Sequence, residues 1–326
     1  MDFELSDEQE MLRDVSRSML SAHCTPELVR EVSTTGRDLD DKLWQRGTEI
    51  GWTGLAVPES HGGADAGLVE LCLIAEEIGR AAAPGPWVDT ALAAYVAHRG
   101  GAPDDVVDGL ASGGRRAAVV IDHALVQAAA AVDWFLIVDD AQVRLVEADS
   151  STTRRRRTLD ESRGFYAIGD IADGGHLLDV DAQSVRDAAA VLVAADALGV
   201  GERLLQMTVD YAKVREQFGR PIGSFQVIKH KAADMLIALR GVRAATYYAA
   251  MTFDAGLTEA SSAASVAKAF AAEKVPAIAG EALQTHGGIG FTWEHDLHLY
   301  LRRAKVDEVL CGDAAFHHDR MAQLPG

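Results

Sequence analysis

The sequence predicts a mainly α-helical protein with a small β segment in its middle, and three observations carry that prediction. Long Ala/Leu/Val-rich stretches fill residues 189–212, 225–253 and 261–286, and alanine and leucine are strong helix formers. Shorter apolar runs at helical spacing recur within residues 1–113. Between the two, residues 114–182 hold compact β-branched and aromatic runs that read as strands. The expected division is a helical N-terminal domain (1–113), a reduced β middle domain (114–182) and a C-terminal helical bundle (183–326). A chain of 326 residues is long enough for such a division around a large apolar core.

Ser6-Asp7-Glu8-Gln9 is a capping-box pattern and marks the start of the first helix. Met11, Leu12, Val15, Met19 and Leu20 follow at helical spacing. Trp44, Ile50, Trp52 and Leu55 lead into Val57-Pro58-Glu59-Ser60-His61-Gly62-Gly63, a loop by its Pro and Gly content. Residues 68–78 are helical and apolar again. In the middle, Ala117-Ala118-Val119-Val120-Ile121, Trp134-Phe135-Leu136-Ile137-Val138 and Val143-Arg144-Leu145-Val146 read as strands, with Asp139-Asp140-Ala141-Gln142 as a hairpin turn. The three long stretches and a last helix over about residues 295–309 predict an antiparallel four-helix bundle. Pro276 lies inside the third long stretch and should kink or break it.

Composition excludes several classes. Apolar residues make up 48% and charged residues 25% of the chain, which is ordinary for a packed protein. A net charge of −18 argues against nucleic-acid binding through a basic face. The run Arg154-Arg155-Arg156-Arg157 reads as a solvated loop or, functionally, as a grip for a CoA phosphate or a partner's acidic face. Cys24, Cys72 and Cys311 are widely spaced and odd in number, so neither a disulfide framework nor a zinc site is expected, and a reducing cytoplasm fits best. Met1-Asp2-Phe3-Glu4-Leu5 carries no signal-peptide character, and the most apolar stretch is interrupted by Asp196, so no membrane association is expected.

Two constellations carry chemistry. The first is Arg215-Glu216-Gln217-Phe218-Gly219-Arg220-Pro221-Ile222-Gly223, followed by Phe225-Gln226. Its glycines permit a tight turn, and a helix start near Ser224 beside an arginine makes an anion site; a plain interhelical turn explains the same residues. The second is Gln284-Thr285-His286-Gly287-Gly288-Ile289-Gly290-Phe291. Its glycines let the backbone approach a ligand and turn N–H groups toward an anion, although one glycine would suffice as a helix stop.

Taken together, the Arg-x-Gln-Phe-Gly turn, the Phe-Gln seven residues beyond its Phe and the Gln-x-x-Gly-Gly-x-Gly loop resemble the acyl-CoA dehydrogenase family. The loop at residues 57–63 and Leu301-Arg302-Arg303-Ala304-Lys305 are similar to further family segments. The resemblance covers residues 1–110 and 183–320. It implies an acyl-CoA dehydrogenase-like fold, a dimer or dimer of dimers, and FAD at a subunit interface. One subunit holds the flavin ring, and its neighbour touches the ADP half. By that resemblance Arg215, Gln217, Phe218, Gln226, Gln284, Thr285, His286, Gly287 and Gly288 contact the ADP half of a partner's FAD.

The same resemblance exposes a loss. Dehydrogenation between Cα and Cβ needs a base for the α-proton and a flavin for the hydride. The family's usual base is a Glu before a Gly, and here that place is Cys311-Gly312. An unperturbed thiol has a pKa near 8.5, and Asp307, Glu308 and Asp313 oppose a thiolate. Asp307 and Glu308 are offset along the helix and should point elsewhere. The family's alternative base position falls near Ala189, with Asp187 about half a turn away. The family's flavin-facing middle-domain motifs are absent too. No catalytic residue is therefore assigned.

The resemblance points to the shorter, non-catalytic member of a heteromeric acyl-CoA dehydrogenase of the kind that degrades steroid side chains. Such enzymes are α2β2 tetramers in which a catalytic subunit shares its FAD with this type of chain and holds most of the acyl-CoA. An active homomeric enzyme with a rearranged base and a flavin-free scaffold are the alternatives.

Overall fold

The computed structural model describes residues 4–122, 125–139, 142–169, 171 and 174–323. The first part is helical: α1 (Asp7–His23), α2 (Pro26–Thr35), α3 (Asp41–Ile50), α4 (Leu68–Ala81), α5 (Trp87–Arg99) and α6 (Asp104–Ala111). The Ser6 capping box forms: Gln9 N–H donates to Ser6 Oγ at 3.3 Å, and Ser6 N–H donates to Gln9 Oε1 at 3.0 Å. Thr25 and Asp40 cap α2 and α3. Trp87 stacks on Trp44 with centroids 4.2 Å apart and meets Trp52 edge-on at 5.1 Å, closing α3 against α5. Helix α4 is buried along most of its length, as an apolar run without a polar face requires.

The middle holds β1 (Ala117–Ile121), β2 (Val126–Gln127), β3 (Trp134–Val138), β4 (Val143–Glu147), β5 (Thr153–Arg156), β6 (Phe165–Ile168) and β7 (His176–Leu178). They form two small sheets, ordered β1-β3-β4-β7 and β2-β6-β5. The three expected strands are present, and β3 and β4 form the expected antiparallel pair with Leu136 opposite Leu145. Of the turn between them, Asp140 and Ala141 lie outside the described residues, while Asp139 N–H donates to Gln142 O at 3.0 Å. Strand β1 pairs with β3 in parallel, which a meander would not give.

Most of the arginine run is strand rather than loop. Arg154, Arg155 and Arg156 lie in β5 and pair with β6. Arg155 reaches the Gly36 carbonyl and sits 3.5 Å from Asp38. Charged residues on a sheet's edge strand discourage pairing with another chain, so three consecutive arginines are compatible with a strand; Arg157 follows its end.

The last part is α7 (Ala182–Val214), the short strands β8 (Glu216–Gln217) and β9 (Arg220–Pro221), α8 (Gln226–Asp254), α9 (Ala260–His286), α10 (Leu297–Asp307) and α11 (Ala314–Gln323). Helices α7, α8 and α9 pack on one another, α10 packs on α7 and α9, and α11 packs on α9. Helix α9 runs unbroken through Pro276, so of the expected kink or local break the break does not occur. Proline removes one backbone hydrogen bond, and the packing of α9 on its neighbours holds the other turns in place.

Helix α4 joins the N-terminal helices to the bundle. Buried Glu76 accepts from Arg243 at 2.6 and 3.0 Å and from Tyr247 Oη at 2.8 Å, tying α4 to α8. Where α4 crosses α7, a Cβ on Gly79 would lie 2.0 Å from Asp196 O, and one on Gly199 would lie 1.8 Å from Glu76 O. Backbone cannot yield as a side-chain tip can, so Gly199→Ala is expected to destabilise the chain by about 1–3 kcal/mol or more. A urea midpoint equal to that of the unaltered chain would contradict this close crossing.

Among the described residues no helix is long and apolar enough to cross a membrane, and no cluster of potential metal ligands occurs. All three cysteines are free.

Candidate functional site

The two sequence constellations come together on one surface. Helix α7 stops at Arg215, whose backbone is extended and whose N–H donates to Tyr211 O at 2.9 Å. Strands β8 and β9 then form a hairpin, with Phe218 at φ 54° and Gly219 at φ 76° between them. Two successive positive-φ residues match the right-handed twist of a hairpin. Glycine takes that conformation freely, whereas phenylalanine does not. The strained turn holds the Phe218 ring 93% exposed, edge-on to Phe225 at 6.1 Å. Arg220 lies over the Phe225 ring at 4.3 Å.

Phe225 precedes α8, and Gln226 opens it. From the other side, α9 delivers Gln284 and Thr285 at its last turn. Gln217, Phe218, Phe225, Gln284 and Thr285 line one groove of about 460 Å³. The sequence missed Lys231, which also lines it and is ion-paired with Glu281; its signal is its place one turn beyond Val227 on the same helix. Arg215 is exposed, with no ion pair among the described residues, and it and Gln226 are not part of the groove wall. Gly287, at φ 61° and ψ −141°, and Gly288 have open space where a Cβ would stand. His286 behaves differently. Its ring is 3% exposed, stacks on Tyr211 at 4.6 Å and donates from Nδ1 to Ala282 O at 2.7 Å, so the side chain faces inward.

A second place gathers the residues at which the sequence looked for a base. Ala189 on α7, Asp307 at the end of α10 and Cys311 line one cavity of about 110 Å³ between α5, α7 and the sheets. Asp307 does not point elsewhere, as its helical offset suggested. It is 2% exposed and accepts from Arg163 Nη2 at 2.7 Å. Arg163 also donates to Asp160 at 2.6 Å, and Arg303 forks onto Asp196 at 2.8 and 2.5 Å. Three carboxyls therefore face two guanidiniums. Against the push of burial, Arg303 holds Asp196 below its ordinary value. The surplus falls on Asp307, which burial pushes up to about 7 despite Arg163. Asp89 on the same wall is pushed up to about 6 by burial, although Val119 N–H donates to it. Asp187 is spoken for, bonded to Gln183, Ser261 and Arg320.

Cys311 itself has φ 56° and is followed by Gly312 at φ 94°. Lys268 Nζ fixes this loop by donating to Glu308 O at 3.1 Å and Gly312 O at 2.7 Å, and His317 Nε2 donates to Cys311 O at 2.9 Å. Burial pushes the thiol up to about 12, so it is protonated at neutral pH and takes no proton from a carbon acid. His317 is held neutral, its pKa pushed down to about 4 by burial. Its contribution to stability is full above pH 6.5 and is lost as pH falls from there through 4. Asp89 and Asp307 run the opposite way in an overlapping window. The expected result is thus a difference: between pH 6.5 and 4 the unaltered chain loses more stability than His317→Gln, measured by urea midpoints. Parallel pH profiles would contradict it.

Residues 6–105 match the N-terminal domain of acyl-CoA dehydrogenase and residues 182–324 its C-terminal domain. The chain is 35% identical over 309 residues to acyl-CoA dehydrogenase IpdE2 of Mycolicibacterium smegmatis, covering 94% of this chain and 96% of that one. It belongs to the acyl-CoA dehydrogenase family. Among solved structures, the Tcur3481–Tcur3483 steroid ACAD superposes with a TM-score of 0.90 at 28% identity, covering 97% of each chain. The ChsE4–ChsE5 complex of Mycobacterium tuberculosis superposes with a TM-score of 0.86 at 27% identity, covering all of both chains.

Acyl-CoA dehydrogenases are FAD-dependent flavoprotein oxidoreductases. The exposed Phe218 ring in the groove, with exposed Arg215 and the open backbone at Gly287 and Gly288 outside its wall, suits a nucleotide diphosphate. The cavity does not suit a flavin ring. A cavity of about 150 Å³ holds one benzene, and this one offers about 110 Å³ with Arg163 and Asp307 in its wall.

Proposed function

We propose that this chain is the non-catalytic subunit of a heteromeric acyl-CoA dehydrogenase and completes the FAD site of a catalytic partner. Arg215, Gln217, Phe218, Gln226, Gln284 and Thr285, with the backbone at His286, Gly287 and Gly288, contact the ADP half of an FAD whose ring the partner holds. FAD supplies the hydride acceptor for α,β-dehydrogenation when bound. The partner supplies the carboxylate that takes the α-proton and most of the acyl-CoA pocket. The observation that carries this reading is the contrast between an open groove at Phe218 and a small cavity walled by Arg163, Ala189 and a protonated Cys311. The likeness to a complex of two proteins supports a related but unlike partner chain; the proposed assembly is an α2β2 tetramer. The likeness to a steroid ACAD supports a steroid-derived acyl-CoA as the substrate class.

Expression of this chain alone and together with a full-length homologue bearing Glu at the catalytic place tests the reading. Acyl-CoA oxidation with an artificial electron acceptor is expected only from the co-expressed pair. Turnover by the chain alone would refute it.

A further inference from the structure

Strand β5 carries a run of positive charge that the proposed function leaves unused. In the sheet ordered β2-β6-β5 it has a neighbour on one side only, so its outer edge presents backbone N–H and C=O groups with no strand opposite. Successive side chains of a strand point to opposite faces. Arg155 takes one face, where it reaches the Gly36 carbonyl, sits 3.5 Å from Asp38 and lies over the Tyr166 ring at 5.9 Å. These contacts hold β5 against the segment between α2 and α3. Arg154 and Arg156 share the other face, about 7 Å apart at the spacing of strand residues. Both are exposed, and neither guanidinium has an ion pair or hydrogen bond among the described residues.

Charge and period narrow the occupant. The whole chain has a net charge of −18 and repels an acidic ligand on average, so β5 is a local exception. Like charge on two such edges opposes pairing with a second copy of this chain. The two free arginines repeat with the two-residue period of a strand, which alternate side chains of an added strand match. An added strand also satisfies the open backbone edge, whereas a phosphate group uses the guanidiniums alone. We propose that β5 is the docking edge for an acidic, extended segment of another protein. That segment adds a fourth strand to the sheet and sets alternate Asp or Glu carboxylates on Arg154 and Arg156. The edge lies outside the wall of the FAD groove, and the proposal stands or falls separately from the subunit role.

Fluorescence anisotropy of a labelled, capped peptide of alternating Thr and Glu, titrated with the full chain, tests the proposal. Saturable binding is expected at low salt, weakening as salt is added, and the matching peptide of alternating Thr and Lys should not bind. Arg154→Gln/Arg156→Gln is expected to weaken binding about tenfold or more. Both side chains are exposed and unpaired, so the variant should fold. Two further peptides, N-methylated at every Thr or at every Glu, keep the charges but block one edge of the added strand each. At least one of them is expected to lose binding. No binding of the Thr/Glu peptide, or unchanged binding in the double variant, would overturn the proposal. So would equal binding of all three acidic peptides, which would mean that charge alone holds them. Displacement of the peptide by a lower concentration of free CoA would make this a phosphate site and overturn it too.

Discussion

Phe218→Gly and Arg215→Ala are each expected to lower FAD retention by the co-expressed complex by roughly ten- to a hundredfold. Loss of an aromatic platform under a nucleobase costs about 1–3 kcal/mol, and loss of a charge-assisted hydrogen bond to phosphate costs about 1.5–3 kcal/mol. Both residues are exposed, and neither anchors the fold. The glycine substitution carries a further discriminating feature. Phe218 sits at φ 54°, a conformation that costs a side-chain-bearing residue about 1–2 kcal/mol. Phe218→Gly should therefore hold or raise the stability of the chain while it weakens the cofactor. A residue kept only for the turn would be improved by glycine with no loss of flavin. Equilibrium dialysis of FAD against the complex, paired with urea melts of the chain, separates the two outcomes.

Arg303→Leu is expected to be the most damaging single change, at about 3–5 kcal/mol, because breaking a buried pair from one side leaves an uncompensated charge. Arg303 is 1% exposed, forks onto Asp196 and donates to Ala83 O at 3.0 Å. Without it, Asp160, Asp196 and Asp307 would share the single cation Arg163. The double change Arg303→Leu/Asp196→Leu removes both charges and should recover most of the loss, since apolar replacements of buried pairs are often neutral. The folded double variant should also support its partner's turnover unchanged. Loss of turnover at normal stability would place this network in the chemistry and contradict the non-catalytic role.

Much of the fold is legible in the sequence because its signals are local. The Ser6 box, the strands at 117–121 and 134–138 and the ends of α8 and α9 follow from capping, alternation and helical runs a few residues long. The groove was legible for the same reason, since a turn and a glycine-rich helix end are contiguous motifs. Helix α11 was not legible, because a ten-residue helix that buries only His317 has little periodic signal. Strands β5 and β6 were missed because arginines mask β5 and its partner is supplied by tertiary pairing. The buried charge network was invisible as a unit. Arg163 and Asp307 lie 144 residues apart, and the position of Asp307 on α10 gave no sign of the guanidinium opposite. A break at Pro276 did not follow, since packing along the whole of α9 outweighs one missing hydrogen bond.

The central claim is that two unlike chains share one flavin site, and flavin counting on the purified complex tests it most directly. The expected value is one FAD for each pair of unlike chains, with little flavin on this chain purified alone. One FAD for every chain, or a stoichiometric flavin on this chain without its partner, would contradict it.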